Sequence, residues 1–344
     1  MSGSTGRIIA LFMGIAGLLS QRCPAQPLTQ APRDELQQAW RQYRQSFIAP
    51  EGRVVDNANG GISHSEGQGY GMLLAERMND RETFERIWRW TSAHLLVRDD
   101  GLAAWRWDPK SVPHVTDRNN ASDGDVLIAW ALSEAADKWS VQHYGDASRR
   151  TVDAIAAKLV VNSRFGPVLL PGADGFGASS RSDGPVVNLS YWIFPAFNYL
   201  RRHAGPVDWT RLSDAGLRLV AAARFGPRRL PTNWISLAHD GAAPAASFPR
   251  VFGYDAIRIP LYLAWGLHSD AAAALAPGGS VVEVDSGNNA EPLSDPDYQA
   301  IAALATCARA SSGEPAYNGR FYYPATLYLL SRIAMDDVAS TCPR

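Results

Sequence analysis

Several things are scarce in this chain, and each scarcity removes a class of protein. Three cysteines in 344 residues are too few for a scaffold held by disulfides. The seven histidines are scattered, with neither the paired-histidine spacing of a metalloprotease nor a Cys–His zinc pattern, so no metal ligands are assigned. No phosphate loop and no Gly-x-Ser-x-Gly elbow occurs, and no cofactor is expected. Charge of one sign is missing too. The 33 basic and 34 acidic residues leave a formal charge of -1, which gives no electrostatic reason to expect nucleic acid as a partner and suits a neutral polymer better.

Long apolar runs are confined to one place. Ile8 to Leu19 follows Arg7 and precedes a polar stretch ending in Cys23-Pro24-Ala25, the pattern of a secretory signal peptide. Residues 1–25 are therefore read as the signal peptide, with cleavage near Ala25, and 26–344 as one domain of an exported, periplasmic or secreted protein with no membrane span left. Removal of Cys23 leaves Cys307 and Cys342, which either pair in an oxidising compartment or stay as two buried thiols.

What the chain has is helical periodicity. Apolar residues recur at helical spacing in about eleven segments, starting near Asp34, Ser65, Arg81, Ser122, Asp146, Asn188, Asp208, Asp255, Ser269, Asp295 and Arg320. The fold class is all-α. Gly101 to Asn120 and Phe165 to Val187 break the pattern and read as short hairpins or long loops, which often carry binding residues. Ala276 to Pro292 is a third irregular stretch.

Three helix starts carry carboxylates. In Ser65-Glu66-Gly67-Gln68-Gly69-Tyr70-Gly71-Met72, Ser65 and Gln68 fit a capping box and Glu66 sits in the first turn, where the helix dipole favours an acid. Capping leaves the glycines unexplained. Three of them in two turns cost roughly 2 to 3 kcal/mol against alanine, so a ligand or a neighbouring helix must approach the backbone closely. In Ala121-Ser122-Asp123-Gly124-Asp125, Ser122 and Asp125 fit a second capping box, leaving Asp123 and Gly124 without a local purpose. In Tyr254-Asp255-Ala256-Ile257-Arg258, Asp255 reads as an N-cap and Arg258 as its ion-pair partner.

These three helices are the second, fourth and eighth, and the sixth begins at Asn188-Leu189-Ser190-Tyr191. If consecutive helices run up and down, helices of equal parity are parallel, and Glu66, Asp123, Tyr191 and Asp255 gather at one end. An acidic cluster flanked by Trp105, Trp107, Tyr191 and Tyr254 suits a sugar polymer: aromatic rings stack on pyranose faces, and paired carboxylates supply the acid and base of glycoside hydrolysis. Trp130, inside a helix, is assigned to the core.

With Glu51-Gly52-Arg53-Val54-Val55-Asp56 and His64 added, these stretches run in the order found in glycoside hydrolase family 8, and the chain resembles its endoglucanases associated with bacterial cellulose synthesis. The resemblance implies a fold of six helix pairs, an (α/α)6 barrel, one helix more than the periodicity gives. It implies an endo-β-1,4-glucanase that inverts at the anomeric carbon, with Glu66 as acid, Asp255 as base and Asp123 at the sugar site or as an alternative base. By the same matching Arg258 orients Asp255, Tyr191 lines the site beside the scissile bond, and the partner is a β-1,4-glucan, with a functional link to a cellulose synthase system. Xylan or chitosan as substrate, or a glucan-binding component with little turnover, are the alternatives. The positive end of a helix favours an ionised acid, so a proton donor at Glu66 requires a negative neighbour, for which Asp123 is the candidate.

Overall fold

The structure, a computed structural model, describes residues 30–340 except 239, 277–278 and 308–315. The expected signal segment and Cys342 lie outside the described residues. Eleven α-helices are present among the described residues: α1 (Gln30–Phe47), α2 (Ser65–Arg77), α3 (Arg81–His94), α4 (Ser122–Trp139), α5 (Gln142–Lys158), α6 (Phe194–Leu200), α7 (Trp209–Ala222), α8 (Arg258–Trp265), α9 (Ser269–Ala273), α10 (Gln299–Ala305) and α11 (Tyr322–Val338). Strands are short and form four small antiparallel sheets: β1 (Ser63–His64) with β2 (Arg106–Trp107), β3 (Val160–Ser163) with β4 (Gly166–Leu169), β5 (Val186–Val187) with β6 (Ile235–Ser236) and β7 (Ala243–Pro244), and β8 (Val282–Val284) with β9 (Ala290–Pro292).

The helices pack as an (α/α)6 barrel. An inner ring runs α2, α4, α6, α8, α10, α11 and closes by contact of α11 with α2, while α3, α5, α7 and α9 lie against the inner helices that precede them and α1 lies against α11. That accounts for six inner and five outer helices among the described residues. The irregular stretch from Ala276 to Pro292 contains the β8–β9 hairpin, and Phe252 bridges to its Val284.

Close helix packing answers the question raised by the glycines. A Cβ on Gly69 would lie 2.5 Å from Leu127 Cβ, one on Gly71 2.7 Å from Val54, and one on Gly124 would strike Ser65 Oγ and come within 2.7 Å of the Glu66 nitrogen. Where α2 crosses α4, the neighbouring helix demands glycine at 69 and 124, while Gly71 is pressed by Val54, in the segment before β1, and by Ile87 of α3. Trp130 is buried as expected, and its ring meets Trp265 edge-on at 5.2 Å. Cys307 is disulfide-bonded, which decides between the two states open to it from the sequence. No described helix is long and apolar enough to cross a membrane.

Candidate active site

Both capping boxes expected from the sequence are absent, and tertiary partners explain why. The cap of α2 is His64, whose Nδ1 accepts from Gly67 N at 3.0 Å, while Gln68 accepts from Val54 N at 2.7 Å and donates to Thr91 Oγ1 at 2.8 Å. At α4 the cap position is Ala121 with no side-chain bond, because Asp125 is drawn away to Ala103 N and Asn120 Nδ2, both at 2.8 Å. Asp255 is not an N-cap either. It lies in a turn three residues before α8, its carbonyl accepting Arg258 N at 3.2 Å, and its side chain accepts instead from Asn188 Nδ2 at 3.2 Å.

The parity argument places these groups correctly. Glu66 and Asp123 are in the first turns of α2 and α4, Asp255 precedes α8, and Tyr191 ends a 3-10 turn (Leu189–Tyr191) before α6. All four line one pocket of about 230 Å³ together with His64, Trp105 and Arg258. Arg258 is not an exposed ion-pair partner but 1% exposed at the centre. Its Nη1 donates to Glu66 Oε1 at 2.6 Å and Asp123 Oδ2 at 2.9 Å; its Nη2 donates to Ser190 Oγ at 3.0 Å and lies 3.5 Å from Asp255 Oδ1. A wholly buried guanidinium needs such partners, since an unpaired buried charge is prohibitively costly.

The three carboxylates differ in what their surroundings do to them. Burial, reinforced by the charge of Glu66, pushes Asp123 up to about 7 against the pull of Arg258. Burial also raises Asp255 from its ordinary value, with Arg258 opposing it. Side-chain exposure ranks them Asp255 at 31%, Glu66 at 17% and Asp123 at 2%. The acid expected beside Glu66 is Asp123, bonded to the same arginine nitrogen.

The expected aromatic residues divide. Trp105 lines the pocket, its indole nitrogen donating to Asp117 at 2.8 Å. Tyr254 is 48% exposed and stacks on Tyr323 with ring centroids 4.3 Å apart. Trp107 is not brought to this pocket: its strand faces α3, and its ring packs edge-on to Trp90 at 5.5 Å, beside His114 at 4.3 Å and under Arg53 at 5.0 Å. The sequence reading missed a half-buried ladder next to Tyr191, in which Phe176 stacks on Trp234 at 5.5 Å and Trp234 on Phe248 at 4.5 Å. Phe176 lies in a loop flagged for binding, but nothing near Trp234 and Phe248 gave a signal. A larger cavity of about 630 Å³ lies between α4, α5 and the loop before α7, but no comparable set of carboxylates converges there. No cluster of metal-ligating side chains occurs among the described residues.

Comparison with known proteins settles the family. The pattern of glycosyl hydrolases family 8 matches residues 18–278. The chain belongs to that family. It is thus a glycoside hydrolase, and family members with related sequences share its architecture. An endoglucanase of Cellulomonas uda is 41% identical over 239 residues, covering 68% of this chain and 65% of the relative's length. A probable endoglucanase of Novacetimonas hansenii is 36% identical over 323 residues, 88% of this chain and 92% of the relative. The structure of endo-β-1,4-glucanase CMCax from Acetobacter xylinum superposes with a TM-score of 0.80 at 34% identity, over 90% of this chain and 99% of that one.

Proposed function

We propose that this glycoside hydrolase is an endo-β-1,4-glucanase that cleaves cellulose-type glucan with inversion, with Glu66 as general acid, Asp255 as general base and Asp123 holding the sugar beside the scissile bond. The observation that carries this reading is the meeting of three carboxylates from three inner helix ends on the one buried guanidinium of Arg258, inside a pocket walled by aromatic rings.

Relative exposure supports this division of roles. A water-activating base must be reachable by water, and Asp255 is the most exposed of the three. Asp123 is unsuited, since its oxygens are taken up by Arg258 and by the Gly124 nitrogen at 2.8 Å. Glu66 gives one oxygen to Arg258; the other, 3.9 Å from His64 Nδ1, is left to carry the transferable proton. In the reaction, Glu66 protonates the glycosidic oxygen as its bond to the anomeric carbon breaks. Water attacks that carbon from the opposite face and gives a proton to Asp255. Arg258 keeps Glu66 and Asp255 in place and offsets the charge left on Glu66 when it gives up its proton, while Asp255 is neutralised by the proton it takes from water. Tyr254, Trp105, Tyr191 and the Phe176–Trp234–Phe248 ladder offer stacking faces for successive glucosyl units.

Relatives that carry the endoglucanase name at 41% and 36% identity support the substrate class. The apolar leader of the sequence supports an exported enzyme, periplasmic or secreted after removal of residues 1–25, and the order of its motifs one that acts alongside a cellulose synthase system. The test is reducing-sugar release from carboxymethylcellulose, with xylan and chitosan in parallel and proton magnetic resonance of fresh cello-oligosaccharide digests. Release from the cellulose derivative with α-anomers formed first is the expected result. Preference for xylan or chitosan overturns the substrate, and β-anomers formed first overturn Asp255 as a base.

A further inference from the structure

The motif around Asp123 contains a second acid that the proposed chemistry does not use. Asp125 is 1% exposed, and burial pushes its carboxyl up to about 7 despite two hydrogen-bond donors. A charge kept at such a cost needs an explanation. Capping is not the explanation, since the α4 cap makes no side-chain bond.

Its contacts point to the pocket walls. Asp125 Oδ1 accepts from Ala103 N at 2.8 Å, which fixes the backbone two residues before Trp105. Trp105 in turn accepts Ser65 N at 3.0 Å on its carbonyl, next to Glu66, and donates its own N–H to Asn119 O at 2.8 Å. Asp125 Oδ2 accepts from Asn120 Nδ2 at 2.8 Å, and the other end of that amide, Asn120 Oδ1, accepts from Ala173 N at 2.7 Å. Asn119 makes a parallel link, donating to Asp174 O at 3.0 Å. Gly172 completes the joint, because a Cβ there would lie 2.8 Å from Asn120 O.

We propose that Asp125 is a positioning residue that, through Asn120, clamps the Trp105 wall and the loop around Ala173 to the helix end presenting Asp123. The substrate aspect rests on the glucanase reading above; the clamp itself does not. Three hydrogen bonds meet here, each setting a donor against an acceptor: the main-chain N–H of Ala103 and one N–H of the Asn120 amide on the two oxygens of Asp125, and the main-chain N–H of Ala173 on the amide oxygen of Asn120. The arrangement has a specific symmetry. Exchanging the two side chains, Asn120→Asp together with Asp125→Asn, keeps each bond, since the new amide at 125 accepts from Ala103 N and donates to the new carboxylate at 120, which still accepts from Ala173 N. Asp125→Asn alone sets two NH₂ groups against each other or leaves a main-chain N–H without an acceptor.

The experiment measures both variants in two ways. Amide hydrogen exchange reads the clamp without substrate: Asp125→Asn should speed exchange in the peptides covering 101–107 and 170–174, and the exchanged pair should restore protection. Kinetics on cellohexaose read its effect on the site. Asp125→Asn should raise KM by about tenfold, the effect of losing one buried hydrogen bond to a charged group, and raise it by a larger factor than kcat falls; the double variant should return to within about threefold of the parent. A purely structural loss lowers the active fraction, and so kcat, leaving KM unmoved. The proposal is overturned if exchange in both peptides is unchanged in Asp125→Asn, or if the double variant is no better than the single one. If the parent has no activity on β-1,4-glucan, the substrate reading fails while the exchange measurement still decides the clamp.

Discussion

The two ends of the barrel are built alike and differ in how completely their charges are satisfied. At the helix N-termini Arg258 gathers Glu66, Asp123 and Asp255. At the opposite end Arg77, the last residue of α2, gathers Glu134 at 2.8 Å, Asp337 at 3.1 Å and Glu76 at 3.5 Å. That second cluster has more partners. Lys138 adds a second cation 3.0 Å from Glu76, and the indoles of Trp130 and Trp265 donate to Glu134 and Asp337 at 2.9 and 2.8 Å while their rings flank Arg77. Around Arg258 there is one cation for three acids, and an oxygen of Glu66 and much of Asp255 face a cavity. A charged cluster with a second cation and two indole donors, buried away from any cleft, ties helices together even though Glu76 Oε2 and Arg77 Nε make no hydrogen bond. The same cluster left short of partners beside a cleft has protons and lone pairs available for a substrate.

The largest effect that would test this contrast is on turnover. Glu66→Gln should lower kcat by roughly 10²-fold or more, the usual loss for a general acid, with a thermal midpoint close to the parent's, since the amide keeps an oxygen to accept from Arg258 Nη1. Retention of more than about a tenth of parental turnover would remove Glu66 from the acid role.

The mirror experiment is Arg77→Met. Breaking a buried ion cluster by removing one side typically costs about 3 to 5 kcal/mol, and urea titration should show a loss in that range while kcat/KM of the folded protein stays within about twofold of the parent. A large fall in kcat/KM would mean that the two ends are coupled.

The third test uses pH. Burial raises Asp123 to about 7 and, at the other end, Glu134 to about 8, so the folded protein holds protons that the unfolded chain releases near pH 4. Raised carboxyl values in the folded state mean a penalty that is absent below the unfolded value and grows as pH rises towards the folded one. Stability should therefore fall between pH 4 and 7 or 8, with a slope of at most about 1.4 kcal/mol per pH unit for each group. Asp123→Asn should flatten the first part of that slope and abolish most activity, whereas Glu134→Gln should flatten it up to pH 8 and leave activity intact. Chemical denaturation at four pH values checks both, and an unchanged slope in either variant contradicts the corresponding assignment.

The smallest effects concern aromatic residues. Trp105→Ala should raise KM for cello-oligosaccharides several-fold at a stability cost near 1 kcal/mol, whereas Trp265→Phe, which loses the hydrogen bond to Asp337 and one ring of a buried indole, should cost about 2 kcal/mol with KM unchanged. Trp107→Ala, packed on Trp90, should behave like the second of these and not like the first. A KM shift there would place Trp107 at the substrate after all.

Much of this was legible in the chain because it depends on local spacing. Helical periodicity located the helices, several to the residue, and the alternation of helix direction brought Glu66, Asp123, Tyr191 and Asp255 to one end. Backbone sterics also required that something press on Gly69, Gly71 and Gly124. What the sequence could not assign were the partners of polar side chains. Ser65 and Gln68, or Ser122 and Asp125, fit capping boxes, yet Gln68 and Asp125 bond residues 14 and 22 positions away. A side chain with several donors or acceptors is captured by whichever buried backbone group would otherwise go unpaired, and those groups are brought near only when the helices pack. The same holds for Arg258, which reads as an exposed ion pair until three helix ends close around it, and for Trp105 and Trp107, which are told apart only by their tertiary partners, the pocket for the first and Trp90 for the second.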